Sequence, residues 1–211
     1  MTTRQPCMFR GRKATEGTHP VKVNKKLLAA LSGAVMLLAL SGCSDDSNKK
    51  LDNWAKGVCD QAAAQTKKIN DANTAITQVN SNGKPQDVKS ADSAAFQSIS
   101  EAYKSLADIV SKAGAPPVKD GAKIQQDAVN DLNGLSTQYG TLKKQVDGLD
   151  TSDQAKFADG LKGVSNSLGK VSQNGEQALD SLRQGDVGKA MAKQPGCKQA
   201  SGSSSASPSA T

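Results

Sequence analysis

Between residues 51 and 184, apolar side chains recur at alternating steps of three and four, and glycine and proline interrupt the pattern. That spacing places side chains on one face of an α-helix, because 3.6 residues complete a turn. A strand would need alternation with period two, and no such alternation competes here. The first stripe, within roughly 51–81, holds Val58, Ala62, Ile69, Ala72, Ile76 and Val79, with Gln65 filling one slot. Leu51 and Trp54 extend it backward, and Gly83 followed by Pro85 ends it. The second, within 87–114, holds Phe96, Ile99, Tyr103, Leu106, Val110 and Ala113 and stops at Gly114-Ala115-Pro116-Pro117. The third, within 118–148, runs through Ile124, Ala128, Leu132, Leu135, Tyr139, Leu142, Val146 and Leu149. Gly134 and Gly140 weaken it by about 1 kcal/mol each relative to alanine. The fourth, within 152–184, runs through Phe157, Leu161, Val164, Leu168, Val171, Ala178 and Leu182, with Gly175 in one slot. Thr151-Ser152-Asp153-Gln154 reads as a capping box at its start. Gly185 ends it, and Asp186 is placed to cap a short last helix at about 187–193.

Amphipathic segments of similar length, joined by short polar loops, predict an all-α chain arranged as an antiparallel four-helix bundle with a short C-terminal helix. Their three–four spacing is that of coiled-coil-like packing. The bundle is expected to span 51–197, with 43–50 as a polar tether before it and 198–211 as a disordered, Ser-rich tail after it.

The front of the chain has a different logic. Leu27–Leu40 carries no charge but has only 14 residues, short for a membrane span of about 20. It follows Lys22, Lys25 and Lys26 and ends in small residues, as a secretory signal peptide does. Leu40-Ser41-Gly42-Cys43 resembles the bacterial lipobox. The resemblance implies a diacylglyceryl group on the sulfur of Cys43, cleavage just before it, and removal of residues 1–42. Two acyl chains suffice for stable anchoring, where one would be marginal. The stretch ahead of the apolar run is long for such a leader. A start at Val21 would give a leader of ordinary length, with residues 1–20 a start-site artefact.

With Cys7 in the leader and Cys43 consumed by lipid, Cys59 and Cys197 are left as an even pair in an oxidising compartment. One disulfide between them is the expectation, with two free thiols as the alternative. Two cysteines without a histidine make a poor zinc site.

Charge and chemistry narrow the functions. The formal net charge of +7 lies mainly in the leader, where seven basic residues between Arg4 and Lys26 face Glu16 alone. From Cys43 onward 20 basic residues meet 19 acidic ones, with no basic stripe and few aromatic side chains, which argues against nucleic acid. The sole histidine, His19, lies in the leader, so Ser-His-Asp and Cys-His catalysis and histidine metal sites have no residues after Cys43. No phosphate-binding glycine loop is present. Asp147, Asp150 and Asp153 lack the glycine and glutamate of a calcium loop and read as helix-capping acids. Asp127 with Asp131 reads as solvated surface. From Cys43 on there are 19 lysines and one arginine, Arg183, which favours a solubilising surface over a dedicated anion site. Trp54 is expected near the disulfide, with contact to the membrane interface as its other reading.

The lipobox, the stretch Trp54-Ala-Lys-Gly-Val-Cys59 and the end Gly188-Lys-Ala-Met-Ala-Lys-Gln-Pro-Gly-Cys197 together resemble the small secreted lipoproteins of actinobacteria. The resemblance implies a location and an architecture. The expected protein is lipid-anchored through Cys43 at the extracytoplasmic face of the cell membrane. It is read as a non-enzymatic binding or structural module for a protein or cell-wall partner, with no catalytic residue, cofactor or metal. The alternative is a carrier of a small apolar ligand inside the bundle.

Overall fold

The computed structural model describes residues 43–80 and 83–201. Among them all regular structure is helical: α1 (Cys43–Gln78), α2 (Pro85–Ala113), α3 (Gly121–Asp147), α4 (Gln154–Arg183), α5 (Gly185–Lys193) and α6 (Pro195–Ser201). The first four match the four apolar stripes. The leader, including Leu40, Ser41 and Gly42, and the tail from 202 onward lie outside the described residues.

Helix boundaries differ from the sequence expectation where one residue can play two parts. Helix α1 starts at Cys43, so the expected polar tether is two further turns of helix. Neither proline nor glycine interrupts 43–50, and Asp46 near the helix start suits the dipole. Pro85 both bars continuation of α1 and opens α2, since the first helical position needs no N–H donor. Helix α3 begins three residues later than expected because the chain after Pro116-Pro117 makes a tight loop. There the Gly121 amide donates to the Val118 carbonyl, and Asp120 sits in the left-handed region at φ 58°. A Cβ at Gly121 would lie 2.0 Å from the Pro116 oxygen, so glycine is required there. The capping box is corrected: Asp153, rather than Thr151, caps α4, its carboxylate accepting from the amides of Ala155 and Lys156 at 3.0 and 3.1 Å. Helix α5 starts after Gln184, so Asp186 lies in its first turn and pairs with Lys189 instead of capping. Pro195 begins α6, which continues to Ser201, four residues into the expected tail.

Helix α1 packs on α2, α2 on α3, and α3 on α4, while α5 and α6 return to α1 and α5 also meets α4. The core is in two clusters. The first joins Leu51, Ala55 and Val58 of α1, Ala107 and Val110 of α2, Ala128 and Leu132 of α3, Leu182 of α4, and Val187 and Ala190 of α5. The second joins Ala72, Ala95, Phe96, Ile99, Leu135, Tyr139, Leu142, Val146, Val164 and Val171. Fully buried alanines such as Ala55 and Ala128 let helices approach closely. Phe96, Ile99 and Leu142 supply the bulk, each contributing about 1.5–3 kcal/mol by burial.

Candidate functional site: the end of the fold at Cys43 and Cys59

Cys43 opens α1, and the exposed residues 46–50 carry the helix to the buried Leu51. From there the structure concentrates its ties between distant parts of the chain. Trp54 lies half-buried against the first core cluster, and its indole N–H donates to the Gly114 carbonyl at 2.9 Å. Its polar partner is therefore the C-terminal cap of α2, which locks α1 to the α2–α3 loop. Five residues on, Cys59 is fully buried and bonded to Cys197, with Cα atoms 5.1 Å apart. The expected disulfide is formed. It can form because Gly196 lies against α1: a Cβ there would sit 2.4 Å from the Cys59 carbonyl oxygen. Lys193 pairs with Asp52 at 3.3 Å, and the Gln194 side-chain amide donates to the Asp52 and Ala190 carbonyls, so the junction of α5 and α6 is held to α1 one to two turns before the bridge.

The acids singled out in the sequence, Asp147, Asp150 and Asp153 at the α3–α4 junction and Asp127 with Asp131 on α3, have these surroundings. Asp147 accepts from Lys143 and from the Ser93 hydroxyl, and these bonds hold its carboxyl below the ordinary value. Asp150 accepts from the Ser152 hydroxyl and amide, which lowers it likewise, and Asp153 caps α4. Asp127 pairs with Lys123, while loss of hydration and the neighbouring Asp127 raise Asp131. Among the described residues no cluster of three or more histidine, cysteine or acidic side chains could hold a metal ion. The lysine surface is built of pairs four residues apart, Lys56–Asp60, Lys67–Asp71, Lys104–Asp108, Lys123–Asp127 and Lys143–Asp147. Each has its cation N-terminal to its acid, the weaker order against the helix dipole, so each contributes a few tenths of a kcal/mol at most.

Two interior features are less visible in sequence. Tyr103 and Tyr139 sit on their predicted stripes, but only the fold stacks them, with ring centroids 5.6 Å apart. Burial pushes both phenols up, and Arg183 offsets this in part for Tyr103. Asp92 is the other, and no motif marks it. It stands four residues after Val88 and four before Phe96, in an apolar slot of α2, and burial raises its carboxyl. The same three–four spacing that marks core positions could have flagged it.

Among the described residues no helix is long and apolar enough to cross a membrane. Compared with protein-family models, with curated proteins and with solved structures, the chain finds no match in any of the three.

Proposed function

We propose that this chain is a lipoprotein, anchored at the extracytoplasmic face of the cell membrane by a diacylglyceryl group on Cys43. Its helices would form an antiparallel four-helix bundle that serves as a non-enzymatic binding or structural module for a protein or cell-wall partner. The observation that carries this is Leu40-Ser41-Gly42-Cys43 at the end of an uncharged run that follows three lysines. The disulfide supports it, because such bonds persist in oxidising compartments. The bundle reading is supported by the clusters: the start of α1 meets the end of α2, the start of α3 and the end of α4, and the opposite ends share the second cluster. The non-enzymatic reading rests on the acids near Asp147 and Asp127, most of which are engaged in caps and surface pairs. On this proposal, the eight helical residues before Leu51 would set the body about 12 Å from the anchor.

The test is the mass of the N-terminal peptide from membrane-bound protein, together with a Cys43→Ala variant. The native peptide should begin at Cys43 and carry the mass of a diacylglyceryl group. The variant should appear as uncleaved precursor or in the medium; unchanged lipid labelling of the variant would refute the anchor.

A further inference from the structure

The two halves of the disulfide have unequal surroundings. Cys59 lies near the middle of the long helix α1 and is fully buried. Cys197 lies on α6, a helix of seven residues, and is only partly covered. Pro195 and Lys198, on either side of it, are exposed, and no described side chain of α6 belongs to either core cluster. Seven residues are too few to hold a helix by their own hydrogen bonds. Helix α6 therefore keeps its place on α1 and α5 through the bridge and through the seating of Gly196 on the Cys59 carbonyl. The residues just before it are held independently. Lys193 pairs with Asp52, and the Gln194 side chain donates to the carbonyls of Asp52 and Ala190.

Thiol–disulfide exchange is a displacement at one sulfur, and access to that sulfur governs its rate. Cys59 offers an attacking thiolate no solvent-facing surface, whereas Cys197 retains some. The inner sulfur is also provided for once the bridge is open. The Met191 carbonyl oxygen lies 3.9 Å from Cys59 Sγ, an acceptor for the weak S–H donor that would form there.

We propose that the Cys59–Cys197 bridge is an exchange site worked through Cys197, that its partner is a dithiol oxidoreductase, and that its opening frees α6 while the rest of the fold stays in place. One thiolate of the partner attacks Cys197 Sγ and forms a new S–S bond there. The Cys59–Cys197 bond breaks, and its electron pair leaves on Cys59 Sγ, which takes a proton. The second thiolate of the partner then displaces Cys197, so that the partner ends as a disulfide and the chain holds two thiols. Release stops at Gln194, whose bonds to α1 and α5 do not depend on the bridge. The chain beyond it becomes a free arm, and the bridge is its latch. The latch does not depend on lipid at Cys43.

The probe is reduced glutathione, a monothiol that performs the first step only and so reports which sulfur is attacked. The full chain, its free thiols first blocked with N-ethylmaleimide, is exposed to it briefly, and newly formed thiols are capped with iodoacetamide before peptide masses are read. Glutathione should be found on Cys197, with the cap on Cys59, in about tenfold excess over the reverse arrangement. In denaturant the preference should disappear; a preference that persisted there would overturn burial as its cause. Glutathione on Cys59, or on both cysteines equally, would overturn the role of Cys197. Exchange that requires denaturant would make the bridge purely structural and overturn the latch. In the fully reduced chain, amide NMR shifts should leave their native positions at 195–201 and keep them across α2 and α3. Loss of the native shifts throughout α2 and α3 would overturn the local release.

Discussion

Asp92 shows how one side chain can oppose the element that carries it. It holds an apolar slot between Val88 and Phe96, and among the described residues no ion pair or hydrogen bond compensates its partial loss of water. Its carboxyl is raised above 3.8, so the folded state favours the protonated form. The cost is absent below pH 3.8, grows as pH rises through the folded value, and is fully present at neutrality. Asp92→Asn keeps the shape of the protonated acid and removes the charge. Its thermal midpoint should exceed that of the native chain at pH 7, and the difference should vanish near pH 3. An equal difference at both pH values would mean that Asp92 has no burial cost. Gly196 is the converse case, a residue whose value is its missing side chain, since a Cβ there would run into the Cys59 carbonyl of α1.

Among the elements, the long helices were the most legible, because a three–four stripe sustained over many turns fits no other regular structure. Their ends were less so, and for a physical reason. A terminus is decided by which of several neighbouring groups captures the free amides, and Thr151, Ser152 and Asp153 are all competent. The structure awards the task to Asp153, while Ser152 turns back to Asp150 and the Thr151 hydroxyl donates to Gln86 at 3.3 Å. Asp153→Ala should therefore destabilise the fold by about 1 kcal/mol, a fall of about 2–4 °C in the thermal midpoint. Thr151→Ala should change it by less than half as much. The reverse order in a pair of melting curves would restore the capping box. The start of α1 is not legible in the sequence because polar residues 43–50 carry no stripe. They need none, since an existing helix extends through any segment that lacks a breaker. Of the candidate residues, Cys59 and Cys197 could be paired by counting. The tyrosine stack could not, because rotation of each helix about its axis is set by packing rather than by spacing.

At the scale of the molecule, the disulfide closes residues 60–196 into one loop. The chain-entropy model allows roughly 5 kcal/mol for a loop of that length, and real bridges usually give less. Replacing both cysteines with alanine should lower unfolding free energy by about 2–5 kcal/mol in denaturant titration. Hydrogen exchange should accelerate first in α5 and α6, which lie closest to the bridge. An unchanged denaturation midpoint would show that Lys193–Asp52, Gln194 and the core contacts of Val187 and Ala190 hold these helices unaided.

The same bridge fixes how the molecule carries mechanical load. A pull between Cys43 and Ser201 runs along α1 to Cys59, crosses the sulfur bridge, and leaves through Cys197. Residues 60–196, which include all of α2, α3 and α4, lie on a side branch that bears no tension. Under stretching, only the part of α1 before Cys59 and the short α6 can lengthen before a covalent bond takes the force. The greater part of the fold, with Gln65 and both tyrosines, would keep its shape while its ends are strained.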